Sequence, residues 1–237
     1  MPPAITIRGE KPFNWTYSKL KNFETCPKRY LETDILKSVP FQDTEHTLRG
    51  KYIHDILAKR LDKGVPLPAG YEYLEPHAAR VLAGAGELRV EQKMGFTKEL
   101  GPSEFFAPNV WCRAIGDVVK LSADRTVAHA IDWKNGKIVE DSVQLALIAQ
   151  CIFANFPTMI AVKTEYVWFQ ENAVTEQVFR RQDMAELWVT LLPRVAALEY
   201  AHKTTTFPAN KSGLCKNYCD VYKCPHNGRI DPALIGT

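Results

Sequence analysis

At 237 residues, with 46% apolar and 11% aromatic content, the chain is long enough for one sizeable core or two small ones, and its composition excludes a disordered protein. A formal charge of +3 permits an acidic partner such as nucleic acid without demanding one. No apolar run approaches the roughly 20 residues of a membrane span, and no basic segment leads into an apolar one at the N-terminus. The expectation is a soluble cytoplasmic protein, or one of the host cytoplasm if phage-encoded, that binds no membrane.

The first element, "YSKLKNFETCPKRYL", reads as a short helix capped by Ser18, with Leu20 and Phe23 on one side and Pro27 forcing a bend or restart. "LRGKYIHDILAKRL" carries Ile53, Ile56, Leu57 and Leu61 at helical spacing, and "EPHAARVLAGAGEL" is a weaker third helix. The period then changes. "RVEQKMGFTKEL", "NVWCRAIGDVVKLS" and "RTVAHAIDWK" read as strands, the last two joined across "SADR" as a hairpin. "DSVQLALIAQCIFANF" returns to helix, "MIAVKTEYVWFQ" and "AVTEQVFRR" to strand, and "DMAELWVTLLPRVAALEYAHK" to a long helix containing Pro193. The order predicts an α/β fold with a mostly antiparallel central sheet flanked by helices. We expect one domain over residues 1–237, with an N-terminal helical part (1–87), an α/β core (88–204) and a cysteine-rich segment (205–237).

The chemistry concentrates in "AIDWKNGK". Asp132 and Lys134 point to one face of their strand while Trp133 points to the other. A turn centred near Ala123 and Asp124 sets Asp132 opposite Ile115 and Asp117 opposite Ala130, so that the two aspartates share a sheet face one diagonal step apart. Two close carboxylates in an apolar setting repel unless a cation lies between them, and oxygen ligands on a rigid sheet suit a hard divalent ion such as Mg²⁺. Lys134 is placed to orient water and offset charge on a phosphate.

With these residues the chain resembles the PD-(D/E)XK nuclease superfamily: "GD", with Gly116 in place of the eponymous proline, then "IDWK" fifteen residues beyond Asp117. The flanking matches are more specific. "YSKLKNFETCPKRYL" is similar to the S-x-L-x-x-[FY]-x-x-C-P-x-x-[FY] segment of RecB-like, AddB-like and CRISPR-adaptation nucleases, "RGKYIHDIL" to their G-x-x-x-H helix and "QLALIA" to their Q-x-x-x-Y helix, with Ile148 where the tyrosine stands. The resemblance implies a restriction-endonuclease-like core in which His54, Asp117 and Asp132 gather Mg²⁺ or Mn²⁺ and Lys134 serves the attacking water. It also implies that Glu91, in "RVEQKMGF", joins the metal directly or through water, and that Gln144 opens the following helix toward the substrate backbone or the metal site.

Three more cysteines lie in "GLCKNYCDVYKCPHNG", a short loop where thiolates can converge on a metal. Cys215, Cys219 and Cys224 make an incomplete site, and Cys26 is the natural fourth ligand. Related nucleases tie such a set around a 4Fe-4S cluster that joins the N- and C-terminal segments, and the resemblance implies the same here. The C-x3-C-x4-C spacing departs from the commonest pattern, which keeps open a structural Zn²⁺ held by the four thiolates, or by three with His226, and a site with no metal at all. Cys112 and Cys151 sit in apolar contexts and read as ordinary buried thiols.

The function expected is a metal-dependent DNA exonuclease acting in recombination, repair or phage DNA metabolism, with any helicase or single-strand-binding partner a separate protein. A CRISPR-adaptation nuclease that trims DNA ends, and a module that holds DNA ends without cutting, are the alternatives. Lys19, Lys28, Arg29, Arg49 and Lys51 are candidates to track a phosphate backbone.

Overall fold

In a computed structural model, which describes residues 12–40, 43–139 and 141–231, helix α1 (Tyr17–Thr25) is capped not by Ser18 but by Thr16. Thr16 has extended backbone, which aims its hydroxyl at the N–H of Lys19 (3.2 Å), whereas Ser18 is already helical. Cys26 breaks the helix in extended backbone, and Pro27 restarts it as α2 (Pro27–Tyr30), at a position where a missing N–H costs nothing. Helix α3 (Glu45–Lys63) opens on a reciprocal cap between Thr44 and Thr47 and ends at Gly64, whose φ of 67° suits a residue without a Cβ. Helix α4 (Glu75–Ala83) follows. The chain divides into two compact units, Met1–Gln42 with Thr190–Thr237, and Asp43–Val189, so α3 and α4 belong with the strands.

Strands β1 (Glu87–Phe96), β2 (Pro102–Ser103), β3 (Cys112–Leu121), β4 (Val127–Lys134), β5 (Ala161–Trp168) and β6 (Ala173–Arg180) form one sheet in the order β2-β1-β3-β4-β5-β6. Neighbours are antiparallel except β4 and β5, which are parallel and joined through helix α5 (Val143–Asn155), since parallel strands need a crossover. Between β3 and β4, Val118 pairs with Ile131 and Leu121 with Ala128, two residues away from the expected register. The shift arises in the turn: Asp124 accepts from the N–H of Thr126 (3.1 Å) and Arg125 takes a left-handed φ of 54°, which moves the centre of the hairpin along the chain. Because the shift is even, every side chain keeps its face.

The core of this unit has two layers. Ile53, Ile56, Leu57 and Leu61 of α3, with Ala78 and Val81 of α4, pack against Val118, Ile131, Trp133 and Val167 of the sheet. Truncating a fully buried leucine here, such as Leu57, costs about 2–5 kcal/mol. Helix α5 is apolar on every side and buried from Leu145 to Ala154, with contacts to β1, β3, β4 and β5.

Helix α6 (Met184–Thr204) runs through Pro193, and a four-residue helix α7 (Leu214–Asn217) lies in the cysteine-rich segment. In the unit formed by the chain's two ends, Tyr30 is the centre: its ring meets Phe23 edge-on at 5.9 Å and its hydroxyl lies 2.8 Å from Nε2 of His202. Arg194 grips Glu24 with two bonds of 2.6 and 2.9 Å. No helix among the described residues is long and apolar enough to cross a membrane.

Candidate active site

Beyond the pair Val118 and Ile131 the β3–β4 ladder opens. The next residues along are Asp117 and Asp132, and the N–H of Trp133 donates to Oδ2 of Asp117 at 2.8 Å, so the carboxylate takes a bond that a strand carbonyl would otherwise accept. On the other flank, β1 pairs Val90 with Val118 and Gln92 with Gly116, and Glu91 between them has a φ of 50°. A left-handed glutamate costs about 1–2 kcal/mol, a strain typical of positions that serve function. His54 enters from α3, where it flanks the Ile53 and Leu57 stripe. Its Nε2 lies 3.0 Å from the carbonyl of Trp133 and its Nδ1 3.3 Å from Oδ1 of Asp117. One ligand atom each from His54, Glu91 and Asp117 lies within 4.8 Å of the other two.

Asp132 is held differently. Nε2 of Gln144, on the first turn of α5, donates to its Oδ1 at 2.6 Å, and Oε1 of the same Gln144 accepts from Nζ of Lys134 at 2.9 Å. Lys134 Nζ is 2.6 Å from Oδ2 of Asp132, a close ion pair. The ring of Tyr166, cross-strand from Asp132, lies 4.8 Å from the same Nζ.

The electrostatics record uncompensated negative charge. Burial, and then the charge of Asp117, push the Asp132 carboxyl up to about 6, against the pull of Lys134 and His54. Burial and Asp117 likewise raise Glu91, with His54 and Lys93 opposing. For His54, burial works against the charged ring, but the Asp117 hydrogen bond and the charges of Asp117, Asp132 and Glu91 outweigh it and raise its pKa.

These groups fit a hard divalent cation. A histidine that donates Nε2–H to a carbonyl turns its Nδ1 lone pair toward the carboxylates, which is the usual arrangement of a metal-ligating imidazole. The carboxylate of Asp132, ion-paired through Oδ2 to Lys134, is a further oxygen group beside them. An open cleft of about 470 Å³, lined by Gly50, Lys51, His54, Asp55, Ala58 and Glu91, leads to the group. A Cβ on Gly50 would meet nothing within 4 Å, so core packing does not require this glycine.

In the other unit, Cys26, Cys215, Cys219 and Cys224 line one cavity of about 230 Å³ together with Arg29 and His226. Backbone N–H groups of Asn210 and Ser212 point at the sulfurs of Cys26 and Cys215, each at 3.4 Å. Burial raises the Cys219 thiol, and the neighbouring Cys215 and Cys224 add to it while Arg29 opposes. All six cysteines are free thiols. Among the described residues no three sulfurs come within 4.8 Å of one another. A zinc tetrahedron with Zn–S near 2.3 Å needs sulfurs about 3.8 Å apart, so the thiols do not stand at zinc spacing. Cys112 and Cys151 are buried, and burial raises both thiols.

The structure therefore brings His54, Glu91, Asp117, Asp132, Lys134 and Gln144 to one place, and the four remaining cysteines to another. The compact ligand group contains Glu91 rather than Asp132, whose oxygens face Gln144 and Lys134. Two of the basic residues expected to follow a phosphate backbone are committed elsewhere: Lys51 lies 2.7 Å from Asp43, and Lys28 3.7 Å from Glu32. Tyr166 was not identified from sequence, because its position under Lys134 depends on the parallel β4–β5 register and leaves no local mark. Ile148, at the position of the missing tyrosine, is buried, with its Cγ2 3.9 Å from where a Cβ on Gly116 would lie.

A family model for the PD-(D/E)XK nuclease superfamily matches residues 14–224. The chain belongs to that superfamily. It is a nuclease-superfamily chain with a restriction-endonuclease-like sheet. Among solved structures, a proposed exonuclease from Eubacterium rectale is similar over 87% of this chain and 86% of its own, with a TM-score of 0.52 and 13% identity, a likeness of fold alone. An alkaline exonuclease from Laribacter hongkongensis covers 81% of this chain and 91% of its own, at a TM-score of 0.36 and 15% identity. No curated protein sequence matches the chain.

Proposed function

We propose that the protein is a divalent-metal-dependent deoxyribonuclease that degrades DNA from its ends. The observation that carries this reading is the group of His54, Glu91 and Asp117 within 4.8 Å, beside Asp132 and Lys134. Three carboxylates repel an anionic backbone, so a module that merely held DNA would gain nothing from gathering them. A Mg²⁺ or Mn²⁺ ion held by His54, Glu91, Asp117 and Asp132 supplies Lewis acidity toward water and the scissile phosphate. Trp133 orients two of those ligands, through its carbonyl to His54 and its N–H to Asp117. Gln144 holds Lys134 and Asp132 in one frame. Lys134 donates to the attacking water or a phosphate oxygen and offsets charge that builds on the phosphate. Tyr166 confines the ammonium group from below.

The second unit is read as a cluster site. Cys26, Cys215, Cys219 and Cys224 line one cavity, and the resemblance to nucleases that tie an N-terminal cysteine to a C-terminal triplet favours a 4Fe-4S cluster on these four. Anaerobically purified protein is then brown, with about four irons per chain. Colourless protein with one zinc would replace the cluster by a structural metal and leave the nuclease reading intact.

The test is an assay on anaerobic protein with linear and circular DNA, in Mg²⁺, Mn²⁺ or EDTA. Linear DNA is degraded with either metal and spared in EDTA. Cleavage that survives EDTA, or inactivity with every metal, overturns the reading, and cleavage of circles as fast as linear DNA overturns its exonuclease part.

A further inference from the structure

Along β1 and β3, the rungs beyond Glu91 and Asp117 carry a different chemistry. Lys93 pairs with Ile115, which is 39% exposed, and Gly95 pairs with Arg113. The loop between β2 and β3 lays Phe105 and Phe106 beside them. The two rings meet edge-on at 4.9 Å, and Phe106 is 73% exposed. The Arg113 guanidinium lies 5.4 Å from the Phe105 ring and 5.7 Å from the Phe106 ring, and Lys93 Nζ lies 5.8 Å from Phe106. Neither cation has a carboxylate partner among the described residues, unlike Lys51, Arg60, Arg80 or Arg194. Nε of Arg113 has no hydrogen-bond partner among the described residues.

A phenylalanine that stands in water between two unpaired cations is not explained by packing. It suits a ligand with a flat face and a negative charge close by, and a nucleotide is such a ligand. The placement fits the site already described. Lys93 is one same-face step from Glu91 and its charge reaches that residue, and Arg113 is a second step on. The row runs roughly 13 Å from the ligand group, four residues at about 3.3 Å each, which a few nucleotides of single strand span.

We propose that Phe106, with Arg113 and Lys93, is a stacking platform for an unpaired base of the strand whose phosphate enters the metal site, so that the substrate is a single-stranded or frayed DNA end. The proposal rests on the nuclease reading for which strand is held, but its test does not use cleavage. Binding of labelled oligothymidine, of an abasic oligonucleotide of equal length and of a blunt duplex is measured in EDTA by fluorescence anisotropy. Wild-type protein binds oligothymidine roughly tenfold more tightly than the abasic strand, and Phe106→Ala removes that difference while leaving abasic and duplex binding unchanged. Phe106→Trp keeps it, and Lys93→Ala weakens all three ligands alike. Equal affinity of wild-type protein for the base-bearing and abasic strands overturns the platform. So does Phe106→Ala with wild-type oligothymidine binding, or with an equal loss on every ligand. Intact base-dependent binding in a protein that degrades no DNA with Mg²⁺ would overturn the nuclease reading and leave the platform standing.

Discussion

The two candidate metal sites are built by opposite means. At the strand site three side chains are fixed by a second bond: His54 and Asp117 to the backbone of Trp133, and Asp132 to Gln144. The protein alone draws three ligand atoms within 4.8 Å and tolerates the repulsion this creates. The cysteine site lies on short elements and loops, where the N–H groups of Asn210 and Ser212 bond the sulfurs of Cys26 and Cys215. One site is organised before its ion arrives, at a cost in stability. If the cysteine site holds the metal proposed for it, that metal does the organising there and the unit's stability depends on it.

The largest effect of that contrast is expected at the cysteines. Cys219→Ala should lose the bound metal and several kcal/mol of apparent stability together, seen as a lower melting temperature and an iron and zinc count near zero. Cys112→Ala should keep the metal. A Cys26→Ala protein with full metal content and an unchanged melting temperature would leave His226 as the ligand to test.

Next in size is Lys134→Ala. Cleavage should fall by roughly 100-fold or more while DNA binding stays within a few-fold, because the group acts on the transition state. A matched loss of binding and cleavage would make Lys134 a structural residue.

The preorganised site also predicts a mutation that stabilises. Asp132 has a folded-state pKa near 6 against an ordinary value of 3.8, so the folded protein binds more protons between those values and loses stability as pH rises through them. Above about pH 6 the penalty is complete, of order 2–3 kcal/mol. Asp132→Asn in EDTA should therefore melt higher than wild type at pH 8, with the difference fading as pH falls toward 4, and it should no longer cleave. Denaturation of both proteins across that range checks the sign, and a variant less stable at pH 8 would contradict it.

The smallest expected change is Gln144→Ala. It frees Lys134 and Asp132 from their shared frame without removing either, and should cost roughly tenfold in cleavage rate with little change in melting temperature.

Much of this was legible in the chain because it rests on local patterns. The Ile53, Leu57 and Leu61 stripe marks α3, strand alternation places Asp132 and Lys134 together, and the unbroken apolar run of α5 marks a buried crossover. What could not be read depends on backbone choices that leave no sequence mark. Arg125 in a left-handed turn moved the β3–β4 register by two residues, and the left-handed backbone of Glu91, a residue already expected near the metal, had no local signal. The two-residue strand β2 is too short for any period, so the loop that carries Phe105 and Phe106 was invisible as a neighbour of Lys93.

The central claim is that the strand site binds a divalent ion before any DNA is present. Titration of Mn²⁺ into DNA-free protein, followed by electron paramagnetic resonance, tests it most directly when wild type, Asp117→Asn and Cys219→Ala are compared. The account predicts one bound Mn²⁺ per wild-type chain, lost in Asp117→Asn and kept in whatever fraction of Cys219→Ala remains folded. Equal Mn²⁺ binding by wild type and Asp117→Asn, or none by wild type, would contradict it.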